Sequence, residues 1–144
     1  MMVFSASGRT TVSVEVAAGA RRRGLGVIAV LSRAQCAASP SAGRESLADH
    51  ADVILDLCTP AGDAAVDLPG LAGPVGPTTT LAAAAVVNTL KVRTAELLLE
   101  QGVDFPVITT PGVAGLEGSR LSVEMALAEQ GRRMRRAPRS GRRA

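Results

Sequence analysis

Residues 25–31 (L-G-V-I-A-V-L) constrain the fold more than any other segment. Seven residues without a polar side chain do not suit a half-exposed strand, which alternates apolar and polar positions. They suit a strand covered on both faces, as in a parallel sheet flanked by helices. Residues 52–57 (D-V-I-L-D-L) read as a second buried strand, and Val3-Phe4 as a short strand stub near the start.

The segments between them complete an α/β order. Residues 11–23 carry two patterns. Val12, Val14 and Val16 alternate like a strand, whereas Val12, Val16 and Ala20 recur every four residues like a helix. Three Arg followed by Gly24 make a good helix end, through the macrodipole and a left-handed cap, so the segment reads as helix. Residues 32–43 read as a Ser/Ala loop, 44–51 as a short helix, and 58–76 as irregular chain with a weak strand near 64–68. Residues 78–101 form the longest helical pattern, closed by Gly102. A last short strand is expected at 105–109 and a helix at 115–130. Alternating strands and helices predict a parallel α/β sheet, whose ligands bind outside the carboxyl ends of the strands.

Composition narrows the functions. The chain has 144 residues, one His, two Cys, two Phe and neither Trp nor Tyr. A zinc site with two His, or with four thiolates, is excluded, and no metal or cofactor is expected. Base stacking on aromatic side chains has almost nothing to work with. The formal charge of +3 hints at nucleic acid, but seven Arg sit in residues 131–144. Without them the body holds nine basic and thirteen acidic residues, a charge of −4. The tail, residues 131–144, is expected to be disordered because like charges repel and little can be buried. Nucleic acid remains a partner through that tail only. The longest apolar run, residues 81–87, falls far short of the ~20 residues of a membrane span, so no membrane partner is expected. Cys36 and Cys58 lack a C-x-x-C spacing and read as reduced thiols of a cytoplasmic protein.

The chemistry lies at Ser5-Ala6-Ser7-Gly8-Arg9-Thr10-Thr11, between a strand end and a helix start. Gly8 lets the backbone approach a ligand. The first helical N–H groups are unpaired, and the hydroxyls of Ser5, Ser7, Thr10 and Thr11 add donors. Phosphate is the natural guest. The loop is no Walker loop, dinucleotide fingerprint or nucleophile elbow. The same Ser and Thr would also serve as helix caps alone. Local sequence does not choose between the two.

These residues resemble the phosphosugar-binding S-x-S-G-x-T loop of sugar isomerase (SIS) domains. R-R-G-L-G-V-I-A-V-L-S resembles the following helix end and strand, and Ala48-Asp49-His50-Ala51-Asp52-Val53-Ile54-Leu55-Asp56 the L-A-D-x-x-I-D segment. Pro60-Ala61-Gly62-Asp63-Ala64, Leu68-Pro69-Gly70-Leu71 and Val75-Gly76-Pro77-Thr78-Thr79-Thr80 are similar to the UPF0309 branch of that family. The resemblance covers about residues 3–110. It implies a three-layer, doubly wound, Rossmann-like parallel sheet that binds phosphorylated sugars. Family members isomerise these, cleave ethers from them or sense them. It also implies pairing into a homo-oligomer. Ser5, Ser7, Gly8 and Thr10 match the phosphate-loop positions. Arg9 matches a variable position, and Thr78 and Thr79 fall where they could border the same pocket.

The family pattern includes an earlier helix, strand with Gly-Ser loop, and helix that would precede Met1. The expectation is therefore residues 1–130 as an N-terminally truncated SIS domain. Gly115-Leu116-Glu117-Gly118-Ser119 also departs from the branch's polar run. Isomerisation needs a general base. His50 reads as a surface residue at a helix end, Glu15 as a solvated helix residue too far along to reach a sugar, and Asp63 as a turn cap. Glu117 has no evident placement. No catalytic residue is assigned. The alternatives are a non-catalytic sensing module or an inactive fragment.

Overall fold

The computed structural model describes residues 1–39 and 43–136. They fall into two compact units, Met1–Arg93 and Thr94–Ala144. In the first unit, β1 (Met2–Phe4), β2 (Ile28–Leu31) and β3 (Val53–Asp56) form a parallel sheet in the order β1-β2-β3. Met2 stands opposite Ile28, and Ile28 opposite Val53. The chain is thus a mixed α/β protein with a parallel sheet, compatible with a Rossmann-like fold.

β2 lies in the middle because it can afford no solvent. Ala29, Val30 and Leu31 are fully buried. β3 forms where expected, but as an edge strand rather than a buried one. Val53 is 49% exposed because it has a neighbouring strand on one side only. Asp52 fastens the start of β3 to the rest. Its Oδ2 accepts from the Val27 N–H at 2.7 Å, and its Oδ1 from Arg21 Nη1 at 2.7 Å. These bonds, the backbone one foremost, hold the Asp52 carboxyl below its usual range.

The ambiguous segment is a helix, α1 (Thr11–Arg22). It buries Ala17 and Ala20 against Val27, Ala29 and Leu31, with Cys36 and Leu47 closing the cluster. Small Ala side chains let the helix lie close to the sheet. Gly24, at φ +73°, ends it. The Leu25 N–H reaches Ala20 O at 3.1 Å and the Gly24 N–H reaches Arg21 O at 2.9 Å, the paired closure that a left-handed residue permits.

Several local expectations change. The stretch read as a Ser/Ala loop contains α2 (Arg33–Ala38), capped by Ser32, whose hydroxyl accepts from the Gln35 N–H at 3.2 Å. Six residues are too few to show a helical period. The helix expected at 44–51 contracts to a 3-10 turn, Leu47–His50, started by Asp49, which accepts from the Ser46 N–H at 2.7 Å and its hydroxyl at 2.8 Å. The weak strand is β4 (Ala64–Val66), and it pairs antiparallel with an unforeseen β5 (Val75–Pro77). α3 (Thr79–Glu100) matches the expected long helix.

In the second unit, residues 105–109 form no strand; the Thr109 N–H donates to Ser122 Oγ at 3.1 Å instead of to a ladder. α4 (Pro111–Arg136) begins earlier than expected, with a break at Gly115, φ +68°. It also runs six residues into the stretch expected to be disordered. Glu129 is the reason: it accepts from Arg132 Nη2 at 2.5 Å and Arg133 Nε at 2.8 Å, so acid one turn earlier offsets their repulsion. These partners hold the Glu129 carboxyl low, Arg133 most strongly. Residues 137–144 of the expected tail lie outside the described residues.

Leu31 joins the β2 core to the loop above it and is completely buried. Leu31→Ala is expected to cost about 2–5 kcal/mol, read from urea unfolding.

Candidate functional site

The loop after β1 is bound down from below. The Ser5 N–H donates to Val30 O at 3.0 Å, which carries the β1–β2 pairing one step past the strand. The Gly8 N–H donates to Ser5 O at 2.9 Å and closes a turn. Ala6 O accepts from the Ser32 N–H, and Gly8 O from the Leu47 N–H, each at 2.8 Å. The Ala6 and Gly8 carbonyls are therefore spent on β2's end and on the 3-10 turn. Gly8 is buried at φ +64°, and a Cβ there would lie 3.0 Å from Leu31 Cδ2. Both the conformation and the space demand glycine.

With these carbonyls held, the loop's hydroxyls make only weak local contacts. Ser5 Oγ donates to Thr10 Oγ1 at 3.3 Å, and Ser7 Oγ accepts from the Arg9 N–H at 3.3 Å. Ser5, Ser7, Gly8 and Thr10 thus share one turn-and-helix-start. Thr10 is the N-cap residue of α1, yet its side chain makes no capping hydrogen bond. The local alternative, that the Ser and Thr merely cap the helix, fails at the residue where it should hold. The first turn of α1 keeps N–H donors and the positive end of the helix dipole for an anion.

Arg9 has a different task. Its Nε donates to Cys36 O at 3.4 Å, at the end of α2, and its Nη1 to Arg44 O. The guanidinium ties two carbonyls from separate segments to the loop. Beside it, Thr11, Val14, Glu15, Arg44 and Glu45 complete a cleft of about 280 Å³. Glu15, expected to be merely solvated, lines that cleft.

A second set of polar groups stands past the ends of β2 and β3. Ser32 Oγ donates to Thr59 O at 2.7 Å. Gln35 Nε2 donates to Thr59 Oγ1 and to Thr79 Oγ1, each at 2.9 Å. Thr79, at the head of α3, is thereby linked through Gln35, Thr59 and Ser32 to Ala6 of the loop. Asp63 accepts at Oδ1 from the N–H groups of Thr78 and Thr79 at 3.2 and 2.7 Å, and from both hydroxyls. It is the cap of α3, supplied from fifteen residues away, rather than the cap of its own turn. These bonds, the Thr79 hydroxyl foremost, lower the Asp63 carboxyl from its usual range. Ser32, Gln35 and Thr59 escaped the sequence reading. Nothing around Gln35 in R-A-Q-C-A-A marks a residue that bridges three segments.

The other reactive side chains are elsewhere. His50 Nε2 faces Glu45 Oε2 at 3.4 Å and makes no hydrogen bond. Asp49 is held low by its Ser46 contacts, the backbone one first. Glu117 pairs with Arg120 at 2.7 Å in the second unit. Cys36 is buried and Cys58 exposed, both as free thiols. Among the described residues, no cluster of His, Cys, Asp or Glu could hold a metal ion, and no helix is long and apolar enough to cross a membrane.

The chain is similar over most of its length to UPF0309 proteins. It is 32% identical to one from Streptomyces griseus over 117 residues, 80% of this chain and 47% of that protein. It is 32% identical to one from Listeria monocytogenes over 130 residues, 89% of this chain and 56% of the other. A Brucella anthropi relative is 35% identical over 115 residues, 80% and 47% of the two chains. The chain therefore spans about half the length of the curated relatives it matches. No protein-family model matches it.

Gly8→Ala is expected to cost roughly 1–3 kcal/mol in chemical denaturation, through strain and the Leu31 contact. In a Leu31→Ala background the cost should shrink, and a double-mutant cycle measures the difference. Asp63 makes a second prediction. Its native pKa lies below the unfolded value of 3.8, so its contribution is complete above that value and is lost as pH falls through the native one. Asp63→Asn should flatten this part of the acid limb of a melting-temperature profile.

Proposed function

We propose that this chain binds a phosphorylated sugar through the β1–α1 loop, with an SIS-type fold around it. The observation that carries the reading is the uncapped start of α1 at Thr10, beside a loop whose Ser5, Ala6 and Gly8 carbonyls are bonded within the protein. A phosphate there would accept from the first α1 N–H groups and from the hydroxyls of Ser5, Ser7 and Thr10. Gly8 supplies the left-handed turn that seats this loop on Leu31. The resemblance of the ordered series of segments to SIS domains supports sugar as the remainder of the ligand, and the bridge through Gln35 to Thr79 supports a polar wall beside it. In that family the corresponding chemistry is sugar-phosphate isomerisation in carbohydrate-derivative metabolism. The proposal is one of binding, with no catalytic residue assigned.

Calorimetric titration with hexose 6-phosphates and hexosamine 6-phosphates should show binding, and the unphosphorylated sugars none. Each lost hydrogen bond to a charged phosphate is worth about 1.5–3 kcal/mol, so Ser5→Ala/Ser7→Ala should weaken binding at least about tenfold. Equal heats for wild type and the double variant would sink the proposal. Interconversion of aldose and ketose phosphates, followed by NMR in the same samples, separates an isomerase from a sensing module.

A further inference from the structure

We propose that Gln35 is a positioning residue of the β1–α1 loop: from outside the loop, and by donating hydrogen bonds, its side-chain amide holds the loop in the shape that accepts an anion. What the loop accepts rests on the phosphate reading above. Gln35 lies in α2 and is only 8% exposed. A polar side chain so deeply placed destabilises the fold unless it is hydrogen-bonded. Its Nε2 carries two protons, and both are used, on Thr59 Oγ1 and Thr79 Oγ1 at 2.9 Å each.

The direction of these bonds is fixed from the far end. The Asp63 carboxylate has acceptors only, and its Oδ1 takes the Thr79 N–H at 2.7 Å and the Thr79 hydroxyl. A hydroxyl has one proton. With that proton on Asp63, Thr79 Oγ1 can only accept from position 35. The order therefore runs from Gln35 to Thr79 to Asp63, and it needs a donor at its head. From Thr59 a second path reaches the loop. Thr59 O accepts from Ser32 Oγ at 2.7 Å, and the Ser32 N–H donates to Ala6 O at 2.8 Å, between Ser5 and Ser7.

The two helices that Gln35 joins do not need its side chain for themselves. α2 is capped by Ser32, whose hydroxyl accepts the Gln35 backbone N–H at 3.2 Å. The head of α3 is capped by Asp63. What the amide adds is the tie between them, so that the floor of the loop is held to the head of α3. Few side chains could replace it. Asn is shorter by one methylene, about 1.5 Å, and would not span both hydroxyls. Ionised Glu has no proton to donate and would set a second carboxylate beside Thr79. Met has the length but no donor.

Amide hydrogen exchange of the full chain, read by NMR, is the test. In Gln35→Met the Ser32 and Gly8 N–H groups, which close the underside of the loop, should lose protection by about tenfold or more. The Leu25 and Asp52 N–H groups, at the opposite end of the sheet, should keep theirs. Thr59→Val, which removes one accepting hydroxyl at unchanged shape, should give the same local pattern and serves where Gln35→Met does not fold. Gln35→Glu should match Gln35→Met at about pH 8 and regain protection towards about pH 5, relative to wild type at the same pH. Burial raises the introduced carboxyl above its usual ~4.3, and its protonated form donates to Thr79. Asp63, held below 3.8, stays ionised over that range. In calorimetric titration with glucose 6-phosphate, Gln35→Met should bind roughly threefold to thirtyfold more weakly than wild type. If wild type binds neither glucose 6-phosphate nor inorganic phosphate, the phosphate reading fails by itself, and exchange alone decides whether Gln35 holds the loop. The proposal is overturned if the folded variants keep Ser32 and Gly8 as protected as in wild type, or lose protection equally throughout the chain. It is equally overturned if Gln35→Glu shows no recovery at low pH, or if Gln35→Met matches the affinity of a wild type that binds.

Discussion

The contact between Gly8 and Leu31 is the constraint on which the loop's shape depends. Leu31, the last residue of β2, is completely buried. Gly8 belongs to the loop, whose turn needs a left-handed residue. Because no side chain separates them, the loop settles onto the strand end closely enough for Ser32 to reach Ala6 and for Leu47 to reach Gly8. Those bonds consume carbonyls that would repel an anion. The open side of the loop is therefore rich in donors as a by-product of how its underside packs. Core packing and ligand preference meet at one pair of residues.

Much of this arrangement could be read from residues in order. The apolar run at 25–31 identified the central strand, the Arg-Arg-Arg-Gly sequence the end of α1, and Thr78 with Gly102 the limits of the long helix. These signals are local, so a short window holds them. What could not be read depends on partners far along the chain. α2 was hidden because its cap, Ser32, is also the residue that closes β2. β5 was hidden because V-G-P has no strand character until Ala64 and Val66 lie opposite it. The exposure of β3 follows from strand order, which composition does not encode.

The candidate site divides in the same way. Ser5, Ser7, Gly8 and Thr10 are consecutive enough to be recognised as one loop. Gln35 is not, because its importance lies in which hydroxyls its amide reaches. Arg9 shows the converse: it stands inside the recognised loop, yet its side chain serves α2 and Arg44. Position within a motif tells where the backbone goes, and not always what the side chain does there.

The bond pattern around Asp63 has one more consequence. Its carboxylate and its carbonyl both hold Thr78, the carbonyl accepting the Thr78 N–H at 3.2 Å. The chain leaves at Asp63, forms the β4–β5 pair, and returns to the point of departure. Its two ends are fastened to each other, so the excursion is a closed side branch. Lengthening a branch of this kind costs only about 0.6 kcal/mol per doubling. The head of α3 can then stay in place while residues 67–74 change in length and composition, which makes this branch a place where new surface can be added to the fold without disturbing the polar groups beneath it.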